Sequence, residues 1–245
     1  MTRWKIFGYC LKRIVLTKIF AGYLFVLAAY AFYIINTRTI LGVRGTAPYS
    51  EWSFCDFLTM ISLPLNTILL FFVSVLFTKR ERNTRKILLS TPLYDRFYLV
   101  TLAVAPVCAY LIAAILAITV CFGSYAGLFS YENFCSLLPF AAVLLLPQMF
   151  LFLGIGLLFC RIRPEAAYVI IAFLLFISFI GLVPPTFLDV TGISLIKSID
   201  NTIPVNAVIP FNLSWTFKTS RVFITFLGSV ICALSLNGES TNTAK

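Results

Sequence analysis

The sequence predicts an all-α membrane protein with six transmembrane helices, an N-terminal amphipathic helix in the interface, and both termini in the cytoplasm. Three observations predict it. Hydrophobic residues make up 60% of the 245 positions and charged residues only 11%, where a soluble domain averages about 25% charged. Six apolar runs recur along the chain. Basic residues are sorted between the connections: fourteen of the nineteen Lys and Arg fall on one side of the predicted membrane and five on the other. Residues 1–245 form a single transmembrane unit, since six spans of about 20 residues occupy about half of such a chain.

Residues 3–18 read as an amphipathic helix. At about 100° per residue, Trp4, Phe7, Leu11 and Val15 share a stripe, and Lys5, Lys12 and Arg13 lie off it. Such a helix rests with its aromatic face in the acyl boundary and its cations at the headgroups. The following apolar run is too long for a cleaved signal and has no clear small-residue cleavage site after it. The predicted spans are 19–35, 57–77, 97–122, 137–159, 166–183 and 222–236, the last being the shortest.

Arg3, Lys5, Lys12, Arg13 and Lys18 precede the first span, six basic residues follow the second, Arg161 and Arg163 follow the fourth, and Lys245 ends the chain. Arg38, Arg44, Lys197, Lys218 and Arg221 face the other side. The positive-inside rule then places the larger group in the cytoplasm. On these bounds no Asp, Glu, Lys or Arg lies well inside a span, with Asp56 and Arg96 at ends; ion-coupled carriers usually need such a group. Asn66 and Gln148 are expected as interhelical hydrogen-bond partners rather than substrate ligands. Pro64, Pro106, Pro139 and Pro147 can kink their spans. Gly154 and Gly156 fit close helix packing. The outer loop, 184–221, is too apolar for a free linker and is expected to dip into the outer leaflet or cap the spans.

Composition excludes several functions. The net charge of +10 is explained by cytoplasmic loops and anionic lipid, not nucleic acid. Histidine is absent, which removes the commonest general base and metal ligand. The seven cysteines show no Cys-x-x-Cys spacing, so no zinc or redox site is expected. Cys55 and Cys135 both fall near the outer face, where a disulfide is an option. No Gly-x-Ser-x-Gly elbow and no pair of intramembrane acids is present. No Gly-Lys dipeptide exists for a phosphate-binding loop, so any ATP that drives this chain must be bound by another polypeptide. No catalytic residue and no metal site is assigned.

The segment 79–96 carries six basic residues and is helix-competent. Within it, Glu81-x-x-Thr84, the pair Leu88-Leu89, and Pro92 two residues beyond Ser90 resemble the stretch after the second span in type-2 permease subunits of ATP-binding-cassette exporters. Asn83 stands where that family usually has glycine, and asparagine is well suited to a positive φ. Arg85 and Lys86 replace a usual Leu-Glu. The layout of the whole chain is also similar to that family. The resemblance implies two six-span subunits, identical or homologous, around a central pathway. Residues 79–92 would then form a coupling helix seated on an ATPase subunit, with Arg80, Glu81, Arg82, Thr84, Leu88, Leu89 and Pro92 as its contacts. Arg161 and Arg163 would form a second, shorter contact. ATP and magnesium would sit on the partner, with no cofactor in this chain. The cargo would be a hydrophobic or amphipathic peptide, lipid or drug, exported across the plasma (inner) membrane of a bacterial cell. The competing reading is a non-transporting membrane component, either an assembly factor or a sensor partner.

Overall fold

Backbone polar groups in hydrocarbon must bond within the protein, which restricts apolar runs of this length to helices or closed barrels. The computed structural model describes residues 3–43, 46–78, 95–180, 185, 189–202 and 211–237, and among them it contains no strand. Its α-helices are α1 (Arg3–Val15), α2 (Lys18–Thr37), α3 (Glu51–Leu76), α4 (Asp95–Phe129), α5 (Leu138–Ile162), α6 (Ala166–Ile180), α7 (Ile193–Thr202) and α8 (Trp215–Asn237). Among the described residues, five helices are long and apolar enough to cross a membrane: Lys18–Leu41, Glu51–Leu76, Val100–Phe129, Phe134–Ile162 and Trp215–Leu236. This is a membrane protein. The predicted span 166–183 corresponds to α6, whose 15 described residues extend about 22 Å at 1.5 Å per residue; residues 181–183 of that span lie outside the described residues.

Local chemistry sets the helix limits. The Ser50 hydroxyl accepts from the Ser53 amide at 3.3 Å, starting α3 at Glu51, six residues before the predicted 57. The Ser214 hydroxyl accepts from the Phe217 amide at 3.3 Å, so α8 starts at Trp215 rather than at 222. Such caps satisfy amides that have no partner within the helix. Two expectations are corrected as a result. Lys218 and Arg221 lie inside the last span, and Asp56 lies within α3. The outer loop 184–221 is not a single connector either, since it contains α7 and its last seven residues belong to α8.

Helices α2, α3 and α4 run in alternating directions. Tyr23 near the start of α2 donates to the Pro64 carbonyl midway along α3 at 3.0 Å, whereas Arg38 after α2 meets Asp56 early in α3. Phe54 of α3 stacks on Phe122 near the end of α4 at 5.6 Å. The bundle therefore has two distinct ends. The basic end gathers α1, the last turn of α3, the first turn of α4, and Arg161 and Arg163 beside α6. The helices on either side of residues 79–94 have their adjoining ends here; the segment itself lies outside the described residues. The opposite end is aromatic: Tyr49 stacks on Tyr131 at 5.2 Å, and Phe211 lies 4.6 Å from both Trp52 and Phe140. Clustered rings of this kind suit a membrane–water boundary.

Helices α3 and α5 form the centre. In each, 67% of the most apolar window is buried, against 28% in α2 and α8, which turn Phe25, Phe32, Val222 and Phe226 outward. Helix α1 packs against α4, and its buried face is Cys10 and Ile14. That face lies beside the predicted stripe, because the groove of the bundle sets the rotation of α1. Burial pushes the Cys10 thiol up from its ordinary range, with Arg13 acting against it. Pro64, Pro106 and Pro147 lie inside helices, but Pro139 occupies the first turn of α5, where its missing N–H costs nothing and it makes no kink.

The closest packing joins α5 and α8, which run parallel. A Cβ built on Gly228 would lie 2.5 Å from the Leu151 amide nitrogen, and one on Gly154 would lie 2.9 Å from the Gly228 carbonyl oxygen. Helices whose backbones touch require small residues. Gly156 faces Leu70 and Val73 of α3 instead. Gly228→Ala is expected to lower stability by about 1–3 kcal/mol through overpacking, read as a lower unfolding temperature in mild detergent. Gly123→Ala, where a Cβ meets nothing within 4 Å, should leave that temperature unchanged or raised.

Candidate functional site

Along α3, Asp56, Thr59, Ser62 and Asn66 recur every three to four residues and are all buried. That spacing places them on one helix face. Thr59 and Ser62 donate to the Asp56 and Thr59 carbonyls at 2.8 and 2.7 Å, so these hydroxyls are satisfied within their own helix. Asn66 instead reaches across to α5, where its Nδ2 donates to Gln148 Oε1 at 2.9 Å. Gln148 Nε2 donates to Leu144 O at 3.0 Å and to Thr191 O at 3.3 Å. The Asn66–Gln148 pair thus joins the two central helices, and Gln148 adds a third element, the turn before α7.

The turn lies deep in the bundle. Gln148 is ten residues into α5, about 15 Å along the helix, half of a hydrocarbon core of about 30 Å. Asp189 organises the turn: Oδ1 accepts from Thr191 Oγ1 at 3.0 Å and the Gly192 amide at 2.8 Å, and Oδ2 accepts from the Ser194 amide at 2.6 Å. A carboxylate so placed caps the start of α7 and favours its positive end. Gly192 has φ +92°, a backbone state that favours glycine. Space is short there as well, since a Cβ would lie 2.8 Å from Leu144 Cδ2 and 3.2 Å from Thr59 Cγ2.

Arg221 closes the group from α8. It is 3% exposed. Its Nη1 donates to Val190 O at 2.6 Å, its guanidinium carbon lies 4.4 Å from the Phe217 ring centroid, and the Asp189 carboxylate acts on it electrostatically. An arginine in a transmembrane helix is costly and marks a site that holds or guides something. An ion pair lies towards the aromatic end, where Arg38 Nε donates to Asp56 Oδ2 at 2.8 Å, with Arg38 half exposed and Asp56 buried.

The other predicted residues fall elsewhere. Arg161 is at the basic end and donates from Nη1 to Ser235 O at 3.1 Å, which caps the last turn of α8. Arg163 is exposed as the C-cap of α5. Arg80, Glu81, Arg82, Thr84, Leu88, Leu89 and Pro92 lie outside the described residues. Cys55 and Cys135 are both free, the first buried in α3 and the second exposed, which corrects the disulfide option. No group of three His, Cys, Asp or Glu suited to a metal occurs among the described residues.

Sequence reasoning missed Asp189, Gly192 and Arg221. Two signals pointed to them. Ser214 ahead of a helix-compatible run is a start signal that draws Arg221 into the span. Asp189-x-x-Gly192-x-Ser194 combines turn and cap residues inside an apolar stretch. Comparison with protein-family models, curated proteins and solved structures finds no match.

An interhelical hydrogen bond of this kind contributes about 0.6–2 kcal/mol. A double-mutant cycle over Asn66→Ala and Gln148→Leu, read by unfolding in detergent, should return coupling in that range. The Gln148 change should cost more, because it also leaves Thr191 O without its donor.

Proposed function

We propose that this chain is the membrane-spanning permease subunit of an ATP-binding-cassette transporter, an exporter of a hydrophobic or amphipathic substrate. A separate ATPase subunit drives it through residues 79–92. One observation carries the reading: the spacing Glu81-x-x-Thr84, Leu88-Leu89, Pro92 within a basic segment between two apolar helices. The arrangement of the described residues supports it. Both helices flanking this segment end at the basic end of the bundle, beside Arg161 and Arg163, so two connections share the face on which an ATPase would dock.

ATP can bias a permease between inward- and outward-facing states only by binding to them with different free energy. Closure of an ATPase pair would bring the two coupling segments together and displace α3 and α4, which flank each of them. A second permease subunit, identical or homologous, completes the pathway. The substrate is named only by class, because the aromatic and aliphatic side chains that would line a pathway are of the same kind as those that face lipid.

Purification in mild detergent should bring down a stoichiometric ATPase subunit, and its absence would remove the premise. In liposomes holding the pair, Glu81→Ala and Pro92→Ala should retain ATP hydrolysis and membrane insertion while transport is lost; full transport would refute the coupling role. Orientation is tested separately. Cys135 is exposed in the turn before α5, so an impermeant maleimide added to intact cells should label it, with no labelling in Cys135→Ser. Labelling of Cys135 only after lysis would invert the topology.

A further inference from the structure

Arg221 has more hydrogen-bonding capacity than its neighbours use. A guanidinium offers five N–H donors in a fixed fork. Nη1 is occupied by Val190 O. Nε and Nη2 are buried, and among the described residues neither has a hydrogen-bond partner. These two atoms share one edge of the plane, with their N–H bonds in parallel, which is the geometry that receives both oxygens of a carboxylate or phosphate. Asp189 does not occupy this edge. Its two oxygens already accept from Thr191, Gly192 and Ser194, and its charge balances the guanidinium from within the turn. Burying such a charge in apolar surroundings with its donors unused is strongly unfavourable.

We propose that the Nε–Nη2 edge of Arg221 is a binding site for an oxyanion, a carboxylate or phosphate that presents two oxygens to the fork. Three features of the surroundings fit this ligand. The Phe217 ring packs against the guanidinium. The Val190 bond holds the other side. The turn carrying Val190 and Gly192 packs directly on the guanidinium, since a Cβ on Gly192 would lie 3.5 Å from Nη2. Arg221 is closed off at 3% exposure, so the ligand reaches it when the turn parts from α8. The site does not depend on an ATPase partner or on transport.

The test uses the full-length protein in micelles of an uncharged maltoside detergent, which carries neither phosphate nor carboxylate, with unfolding temperature as the readout and chloride used to hold ionic strength constant. Three probes separate the sources of the oxyanion: decanoate as a free amphiphile, phosphatidylglycerol as a bilayer lipid, and inorganic phosphate as a free ion. At least one should raise the temperature saturably, by about 5 °C or more near 100 times its Kd, with no rise from decanol or from chloride alone. Arg221→Lys keeps a charge and a donor for Val190 but lacks the fork, so it should fold and lose the saturable rise. No saturable response of the native protein to any of the three probes would overturn the site. A response that survives in Arg221→Lys would overturn it equally. Because the readout needs neither ATP nor transport, failure of the permease reading would leave this result unaffected.

Discussion

Amides and carbonyls inside hydrocarbon have only the protein to bond to, and among the described residues the buried turn 189–192 meets a like constraint outside a helix. The solution is collective. Asp189 collects two amides and a hydroxyl, Gln148 donates to the Thr191 carbonyl, and Arg221 donates to the Val190 carbonyl. Non-helical backbone is tolerated at such depth only where it is buried in protein or lines a cavity, and here three helices enclose it. Asn66 adds to the arrangement by fixing the orientation of the Gln148 side chain.

The central position of α3 and α5 follows from the same requirement. Helices that face lipid gain nothing from polar side chains, and α2 and α8 present aromatic and aliphatic residues outward. Polar groups therefore collect where two central helices face each other. Prolines contribute as well. Around Pro147 the Leu144 and Leu145 carbonyls accept from Gln148 and Tyr110, and the Pro64 carbonyl accepts from Tyr23 and Thr67. These polar side chains thus bond to helix carbonyls at or beside prolines, within helices that remain continuous.

The contact between α5 and α8 spans both ends of the bundle. Arg161 meets Ser235 at the basic end, Gly154 and Gly228 allow the backbones to touch midway, and the deep turn sits between Gln148 and Arg221 further along. Glycine at the midpoint brings the helices close enough for long polar side chains to bridge elsewhere. A bulkier residue at Gly228 would separate the axes and strain every contact along the pair.

Much of this protein is legible in sequence because the signals are local. Apolar run length gives the helices, sorted Lys and Arg give the expected orientation, and residues 79–92 give the family resemblance. Asn66 and Gln148 were identifiable as polar groups in apolar runs, and the structure joins them to each other. The start of the last span is also encoded locally, in the Ser214 cap, but an apolar-run criterion stops at Arg221 because it counts charge as a boundary. Only the tertiary structure decides that Arg221 and Asp189 lie buried together, that Cys55 and Cys135 lie in different surroundings, and that Cys10 and Ile14 form the buried face of α1. Periodicity and hydropathy describe a residue relative to its own helix. Which partner it meets from dozens of residues away depends on the register and rotation of packed helices, and these are set by close contacts such as Gly228 against Leu151.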